Sequence, residues 1–382
     1  MGKKKIIIAL NSAWNLYNFR AGLIKALVKE GYEVVAVAPW DKYALLLPAL
    51  GCQFKPLEMD TTGKNPAGDL RVLIDYIRLL RKERPAAFLG FTIKPNVYGS
   101  LAAGILGIPV INNIAGLGFA FTKKNWLTKV VISLYRLALR RSAMVYFQNE
   151  EDRRVFLEKG LVHQARSRRI PGSGVDVNRF MSCQPPTLGV GQTFRFLLAA
   201  RLLWEKGVAE YVDAARQLQK THPHVECCIV GFTAENHAQS VSRAQVEEWH
   251  SEGVIHYLGV TDRIEDVLEA AHCVVLPSYY REGVPRVLLE AAAAGRPIVT
   301  TDWIGCREVV SDGLNGLLCS PRDTDDLLSK MTTMLQLPAE RRMEMGQRGR
   351  DKVTQEFSEE AVIKNYIDLL QQVTEPGGAP RT

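Results

Sequence analysis

The chain has 382 residues, more than one hydrophobic core comfortably holds, and this length predicts two domains. With 47% hydrophobic and 23% charged residues, the composition is that of a globular protein, and no apolar run reaches the roughly 18 residues of a membrane-spanning helix. The net charge of +7 is uneven, because residues 1–173 hold 27 Lys and Arg against 12 Asp and Glu, whereas the remainder holds 21 against 29. A basic half and an acidic half indicate different binding partners for each half. The alternative is that the asymmetry is random variation in surface charge without a function.

The chain begins MGKKKIIIALN, in which a short basic stretch precedes the apolar residues 6–10. A signal peptide needs roughly 7 to 15 apolar residues at this point, so the segment is predicted to be the first β-strand. The seven cysteines show no C-x-x-C spacing and are expected to be reduced and mostly structural, which is typical of a cytoplasmic protein.

In the first half, short β-branched runs alternate with helical stretches. Alternating strands and helices form βαβ units with a parallel sheet that is covered on both faces. The strands are predicted over residues 5–10, 33–38, 86–91, 109–114 and 143–147, and the clearest helices over residues 18–31 and 69–83.

Polar residues and glycines of the first half are predicted to lie in loops that follow strands. The loop after the first strand lacks a G-x-G-x-x-G fingerprint, which argues against dinucleotide binding there. Because ligands bind at the carboxyl ends of strands, these loops are expected to face a cleft between the two domains. For Arg20 a helix cap and for Lys94 a simple turn remain the alternatives. The residues concerned are Asn15, Arg20, Lys94, Gly116 and Gly118.

A basic amphipathic helix is predicted over residues 123–141, where Trp126 and several aliphatic residues recur at helical spacing among cations. Such a helix with an interfacial Trp suits an anionic membrane surface, although a helix packed on the sheet with a basic outer face shows the same pattern. The residues expected at the membrane are Lys123, Lys124, Trp126, Lys129, Arg136, Arg140 and Arg141.

Gly, Pro and Ser cluster over residues 169–192 and predict a linker, after which the alternation resumes. The second set of strands is predicted over residues 194–200, 225–230, 254–259, 273–277 and 297–301. The fold class is therefore α/β, with an N-terminal domain over residues 1–173 and a C-terminal domain over residues 174–357. Two further helices are predicted over residues 323–336 and 338–354. A last helix, over residues 358–373, is expected to pack back on the N-terminal domain, before a disordered tail at residues 374–382.

A candidate phosphate site follows the first strand of the second half. Arg201 and Lys206 lie between a strand end and a helix start, where cations and backbone N–H groups converge on an anion. Two solvated cations in a loop would give the same pattern.

Two carboxylates lie in the segment REGVPRVLLEAAAAG, where Glu282 and Glu290 bracket seven residues. Gly283 and Val284 offer backbone N–H groups at the start of the helix between them. Carboxylates repel phosphate but accept two hydrogen bonds from a diol, so this arrangement suits a nucleotide sugar. Glu282 would then face the hexose and Glu290 the ribose.

Residues 323–325 read D-T-D, which matches the D-x-D motif that binds a metal ion in some enzymes that use nucleotide sugars. They open a predicted helix, where an aspartate caps the helix and complements its dipole. We therefore interpret the motif as a cap and expect no metal.

Together, R-x4-K at Arg201 and Lys206, E-x7-E at Glu282 and Glu290, GRPIVTTD and PGSGVDVNRF resemble the retaining glycosyltransferases of family 4. That resemblance implies the GT-B fold, in which two Rossmann-like domains face a central cleft. It also implies a metal-independent transfer from a UDP-sugar, with no cofactor. Arg201 and Lys206 match the family's diphosphate-binding pair, Glu282 its sugar-contacting carboxylate and Glu290 its ribose-contacting one. Retention is usually explained in this family by same-face attack, with a diphosphate oxygen helping to take the acceptor proton.

In the first half, NFR, TIKPN and GLGFAF are similar to a subgroup that adds hexosamines, N-acetylgalactosamine among them, to undecaprenyl-diphosphate sugars in bacterial glycan assembly. This implies that Arg20 and Lys94 contact the acceptor diphosphate and that the other loop residues of the first half bind the acceptor. Many family members carry a His after the fifth strand of the first domain, whereas this chain reads INNIAGLG there. No catalytic His is therefore carried over, and Asn113 is placed at that position.

The sequence thus predicts a cytoplasmic glycosyltransferase, peripheral on the inner face of the membrane, that moves an N-acetylhexosamine from a UDP-sugar to a lipid-linked saccharide. One alternative is a UDP-N-acetylglucosamine 2-epimerase on the same fold, which would need acid/base residues in the cleft and no lipid acceptor. Another alternative is a non-catalytic protein that binds nucleotide sugars or nucleic acid. No RNA-binding module is visible in the sequence, and we therefore expect no nucleic-acid partner.

Overall fold

A computed structural model of the chain describes residues 3–60, 66–117, 126–181, 183, 193–233 and 239–375. The fold divides into two compact units, each built around its own parallel sheet. Unit 1 comprises residues 1–173 together with 359–382, and unit 2 comprises residues 174–358.

Unit 1 contains a seven-stranded sheet in the order β3-β2-β1-β4-β5-β6-β7, in which neighbouring strands are parallel. Its strands are β1 (Lys5–Ala9), β2 (Glu33–Ala38), β3 (Gln53–Pro56), β4 (Ala87–Gly90), β5 (Val110–Ile114), β6 (Met144–Phe147) and β7 (Ser167–Arg169). Its first helices are α1 (Ala13–Lys29), α2 (Pro66–Glu83), α3 (Ser100–Ile105), α4 (Trp126–Leu139) and α5 (Glu150–Glu158).

Both faces of this sheet are buried, because successive residues of β1 belong to different hydrophobic clusters. Ile6 and Ile8 pack into one cluster, and Ile7 packs into another on the opposite face. This is why the strands read as continuous apolar runs rather than as an alternation of apolar and polar residues.

Unit 2 repeats the architecture with a six-stranded parallel sheet in the order β10-β9-β8-β11-β12-β13. Its strands are β8 (Phe194–Ala199), β9 (Val225–Val230), β10 (His256–Tyr257), β11 (Cys273–Leu276), β12 (Ile298–Thr301) and β13 (Gly316–Cys319). Its helices are α6 (Val208–Thr221), α7 (Arg243–Ser251), α8 (Ile264–Glu269), α9 (Arg286–Ala293), α10 (Cys306–Val309), α11 (Thr324–Gln336) and α12 (Ala339–Glu356).

The last helix, α13 (Glu359–Thr374), belongs to unit 1. Its apolar face buries five side chains in the same cluster as Ile6 and Ile8 of β1, and these are Val362, Tyr366, Leu369, Leu370 and Val373. Residues 376–382, most of the predicted tail, lie outside the described residues.

Two sequence predictions need correction. Helix α1 begins at Ala13, earlier than predicted, because the side chain of Ser12 caps it by accepting a hydrogen bond from the Asn15 N–H at 3.1 Å. Asn15 consequently lies inside the helix and not in a loop. Arg20, which the predicted helix over residues 18–31 already contained, lies inside it as well. Strands β3, β7 and β13 were not predicted, since each has only three or four residues and partly exposed positions that weaken the apolar signal.

All seven cysteines are buried and unbonded, as the sequence predicts. The adjacent Cys227 and Cys228 pack into different clusters on opposite faces of the second sheet. Within the described ranges, no helix combines the length and the hydropathy that spanning a bilayer requires.

Candidate functional site

The candidate site of unit 2 lies where the strand order reverses, between β8 and β11. At such a switch point the loops after the two strands diverge and leave room for a ligand. Here the loop after β8 supplies Lys206 and the loop after β11 supplies Glu282. The Lys206 Nζ donates to the Glu282 Oε1 at 2.5 Å.

Close backbone packing holds these loops in place. Gly207 has a φ of +77°, and a Cβ there would clash with the carbonyl oxygen of Pro277. The Tyr279 N–H donates to the carbonyl oxygen of Glu205 at 2.9 Å, which ties the loop after β11 to the loop after β8. Gly305, beyond β12, approaches the carbonyl oxygen of Gly283 so closely that it also has no room for a side chain.

The ammonium of Lys206 is nearly buried, since only 7% of the residue is exposed. Its Nζ lies 5.6 Å from the centre of the Tyr280 ring, and Glu282 also accepts a hydrogen bond from the Ser278 Oγ at 3.4 Å. Arg201 is exposed and interacts with Tyr280, whose pKa is raised by burial and partly lowered again by that guanidinium. The structure therefore brings Arg201, Lys206 and Glu282 to adjoining loops.

Glu290 lies on α9 and is 8% exposed. Burial raises its pKa, and the guanidinium of Arg286 acts in the opposite direction. The Arg286 Nε donates to the Glu290 Oε1 at 3.1 Å, while its Nη1 donates to the carbonyl oxygen of Gly174 at 2.5 Å. One oxygen of the predicted ribose carboxylate thus has a protein partner, and Arg286 links it to the first residue of unit 2.

Helix α9 begins two residues after Val284. Pro285 is the N-cap residue, and Gly283 and Val284 form the turn that precedes it. The helix ends at Ala293, and Gly295 follows with a φ of +68°, which is the left-handed conformation that glycine favours after a helix.

The D-T-D motif opens α11. Asp323 is the N-cap, and its Oδ1 accepts a hydrogen bond from the Asp326 N–H at 2.9 Å. No group of three or more His, Cys, Asp or Glu side chains suited to a metal occurs within the part of the chain that the structure describes.

In unit 1 the strand order reverses between β1 and β4. Arg20, only 5% exposed, lies with its Cζ 4.2 Å from the centre of the Phe91 ring just beyond β4. The Asn113 Nδ2, at the end of β5, donates to the Tyr366 hydroxyl at 2.8 Å, and the Asn113 Oδ1 accepts from the Gln148 Nε2 at 3.2 Å. Burial raises the pKa of Tyr366 and the nearby Arg20 opposes that shift, so Arg20 and Asn113 share a polar cluster around Tyr366.

The contacts of Lys94 and Asn15, two other predicted acceptor residues, lie outside this cluster. The Lys94 Nζ pairs with the Asp69 Oδ1 of α2 at 2.8 Å, and the Asn15 Nδ2 donates to the Asn11 Oδ1 at 2.7 Å. Gly116 has a φ of +117°. Gly118 lies outside the described residues.

Helix α4 packs on unit 1 through Tyr135, Ala138 and Leu139, while Leu137 is 59% exposed and Val130 is 42% exposed. It therefore combines a packed face with an outer face that is both aliphatic and basic. Its exposed cations are Lys129, Arg136 and Arg140, with Arg141 just after it. Lys123 and Lys124 lie outside the described residues, as does the side chain of Trp126.

Sequence reasoning missed several residues of both sites. Arg286 had a usable signal, because it precedes Glu290 by one helical turn and such pairs face each other. For Ser278 and Tyr280, the only signal in the sequence was that they follow a predicted strand. The sequence contained no signal for Tyr366 and Gln148, because their contacts with Asn113 join segments that are far apart in the chain.

Comparisons with known proteins agree with this architecture. A family model described as Glycosyl transferase 4-like matches residues 5–149, and one described as Glycosyl transferases group 1 matches residues 187–352. The chain is 28% identical over 373 residues to the N,N'-diacetylbacillosaminyl-diphospho-undecaprenol alpha-1,3-N-acetylgalactosaminyltransferase of Campylobacter jejuni, covering 94% of this chain and 96% of that protein. It is 23% identical over 271 residues to the UDP-Gal:alpha-D-GlcNAc-diphosphoundecaprenol alpha-1,3-galactosyltransferase of Escherichia coli, covering 69% and 70% of the two chains.

Solved structures show the same fold. The Anabaena protein HepE, in complex with UDP and glucose, superposes with a TM-score of 0.77 at 18% identity and covers 96% of this chain and 99% of that one. Sucrose-phosphate synthase from Thermosynechococcus elongatus also superposes with a TM-score of 0.77, at 17% identity, over 97% and 99%. One family model matches each unit, one relative aligns over nearly the whole length, and the fold has two Rossmann-like sheets. The chain therefore belongs to the family 4 glycosyltransferases of the GT-B fold.

Proposed function

We propose that this enzyme transfers an N-acetylhexosamine, such as N-acetylgalactosamine, from a UDP-sugar to an undecaprenyl-diphosphate-linked saccharide with retention of anomeric configuration. The observation that carries the proposal is the nearly buried Lys206–Glu282 pair at the switch point of unit 2. The pair supplies an ammonium group for a phosphate and a carboxylate for sugar hydroxyls. These two groups are hydrogen-bonded to each other.

On the donor side, Arg201 and Lys206 bind the diphosphate, and the backbone N–H groups of Gly283 and Val284 before α9 complement it. Glu282 accepts hydrogen bonds from the hexose. Glu290 accepts them from the ribose through the oxygen that Arg286 leaves available.

The proposed reaction is the same-face displacement that the family resemblance implies. An acceptor hydroxyl oxygen attacks the anomeric carbon on the face from which the diphosphate departs, and the bond between that carbon and the phosphate oxygen breaks. The hydroxyl proton passes to a diphosphate oxygen, and UDP leaves. Arg201 and Lys206 stabilise the negative charge that develops on the leaving group, a task that requires no metal or cofactor in this proposal.

The acceptor assignment draws on the names of two relatives, both of which act on undecaprenyl-diphosphate-linked sugars. In unit 1, Arg20 and Asn113 around Tyr366 supply a cation and an amide at the ends of β4 and β5. Asn15, Lys94, Gly116 and Gly118 complete the proposed acceptor set, and Lys94 would have to exchange its contact with Asp69 for the acceptor diphosphate.

A lipid-linked acceptor requires the enzyme to work at a membrane, and we place it on the cytoplasmic face. The exposed cations and aliphatic residues of α4 suit an anionic surface. This contact is peripheral in the proposal.

A panel of nucleotide sugars tests the function, scored by release of nucleoside diphosphate with and without polyprenyl-diphosphate saccharides and with and without a chelator. We expect release with UDP-N-acetylhexosamines that depends on the acceptor and is unaffected by the chelator. The anomeric configuration of the product, read by NMR, tests retention. A changed sugar without an acceptor would instead identify an epimerase, and nucleotide binding without turnover would identify a non-catalytic protein.

A further inference from the structure

A groove of about 520 Å³ lies in unit 1 between α4 and the segment over residues 160–166 that follows α5. It is separate from the candidate donor and acceptor sites, because none of the residues assigned to those two sites lines it. Its rim carries Arg136 and Arg140 from α4, and His163 and Arg166 from the following segment.

The rim is cationic and has no acidic counterpart. No Asp or Glu lines the groove, and none of the three arginines forms a salt bridge with any residue that the structure describes. Arg136 uses one Nη2 hydrogen to bind the carbonyl oxygen of Lys159 at 3.1 Å, which fixes its guanidinium at the rim. Convergent guanidinium groups with few acidic neighbours complement a phosphate.

The floor and the adjoining surface are apolar. Leu139, Val145 and Leu161 line the inside of the groove and are at most 4% exposed. Leu137 also lines the groove, although 59% of it is exposed. Val130, outside the groove, lies seven residues earlier on α4 and therefore on the same side of the helix. A small soluble anion would use the cations and leave these exposed leucine and valine surfaces in water.

We propose that this groove binds the phosphate headgroup of an anionic phospholipid at the membrane surface. The arginines contact the phosphate, while Leu137 and Val130 contact the acyl region near the headgroup. The proposal rests on the membrane contact proposed for α4 but adds Arg166 and His163, which lie outside that helix, and it turns a general surface attraction into recognition of a headgroup.

Flotation of the full chain with vesicles tests the groove. We expect binding to phosphatidylglycerol-containing vesicles and weak binding to pure phosphatidylcholine vesicles. Arg140→Glu and Arg166→Glu should each lower the ratio of bound to free protein by about tenfold or more, because each removes a cation from an anionic surface and adds a repelling charge. Arg81→Glu, an equal charge reversal at an exposed site on α2, is the matched control and should change the ratio by less than about twofold.

Binding of UDP, measured in parallel, should be the same in all variants, so that loss of flotation is not mistaken for unfolding or for failure of the donor site. Arg140 is exposed and keeps the test valid if the half-buried Arg166 does not tolerate a carboxylate. Equal losses in the groove variants and in Arg81→Glu would overturn the headgroup site and leave only diffuse attraction. An absence of flotation at low salt would overturn the membrane contact as well, and arginine-dependent binding of inorganic phosphate without flotation would overturn the lipid assignment.

Discussion

At the scale of single residues, the candidate site of unit 2 is organised by two ion pairs. Lys206 meets Glu282 at 2.5 Å, and Arg286 meets Glu290 at 3.1 Å. In both, the side chains are mostly buried, so each pair is sensitive to the loss of one partner. The sequence predicted three of these four residues as ligand contacts, but it did not predict that they contact each other.

The first pair predicts opposite effects on binding and on transfer. In Glu282→Gln the carboxylate no longer competes with phosphate for Lys206, so UDP should bind about fivefold more tightly by calorimetry, as expected for about 1 kcal/mol of released interaction. The rate of transfer should fall by about 100-fold, because the hexose loses its carboxylate contact. Weaker UDP binding in Glu282→Gln would contradict the competition.

The second pair predicts a shift with pH. Burial raises the pKa of Glu290 and Arg286 lowers it, so Arg286→Ala should raise that pKa further. If ionised Glu290 binds the ribose, activity is lost as the pH falls through the pKa, and the acidic limb of kcat/KM should move to higher pH in the variant. An unmoved limb would exclude Glu290 as the ribose contact.

The control for this shift is Arg348→Ala. Arg348 and Glu344 also form an i,i+4 pair, but both side chains are more than 40% exposed on α12. Solvent screens such a pair, so this substitution should leave the pH profile in place.

At the scale of elements, α12 holds α9 in position. Gly346 of α12 lies against the carbonyl oxygen of Gly295, just beyond the helix that carries Glu290, and a Cβ there would clash with backbone. Gly349, one turn later, has its nearest neighbour at 3.6 Å, an ordinary contact with the Ala292 Cβ. Backbone packing thus leaves no space for a side chain at position 346, whereas position 349 has space for a methyl group.

This difference predicts opposite changes in stability. Gly346→Ala should lower the free energy of unfolding of unit 2 by about 1–3 kcal/mol, because α12 must move away from α9. Gly349→Ala should raise it by up to about 1 kcal/mol, because alanine favours the helix and the space is available. Urea denaturation followed by circular dichroism measures both, and equal effects of the two substitutions would contradict the packing described for Gly346.

Elements also show where prediction from sequence stops. The strands with continuous apolar runs were predicted within a few residues, since burial on both faces leaves a strong pattern. Helix α1 was predicted too late, because a single side chain, that of Ser12, determines where it begins. The short strands β3, β7 and β13 exist because neighbouring strands provide hydrogen-bond partners, and that information is not local.

At the scale of the whole molecule, the chain leaves unit 1 at residue 173 and returns to it at residue 359. The returning helix α13 completes the core of unit 1, whereas unit 2 is one continuous segment with cores of its own. The two units should therefore differ in their dependence on the C-terminus.

Truncation after residue 358 should unfold unit 1 and leave unit 2 folded. Five side chains of α13 are buried, and at about 1.5–3 kcal/mol each their loss is comparable with the whole stability of a domain. Calorimetry should show the loss of one thermal transition while the truncated chain still binds UDP. Truncation after residue 375, which removes only residues outside the described structure, is the control and should retain both thermal transitions. Loss of UDP binding in the chain truncated after residue 358 would contradict the independence of unit 2.

The amino-acid pattern alone was sufficient for the fold class, the family and the enzyme class, because these depend on runs of apolar residues and on short motifs such as E-x7-E that are continuous in the chain. The contacts within each site required the folded chain. Lys206 contacts Glu282 across 76 residues because the loops after β8 and β11 meet at the switch point of unit 2. Asn113 contacts Tyr366 across 253 residues because α13 packs on unit 1 near the end of β5. The basic groove likewise exists only because the segment after α5 folds back beside α4 and brings Arg166 next to Arg136 and Arg140.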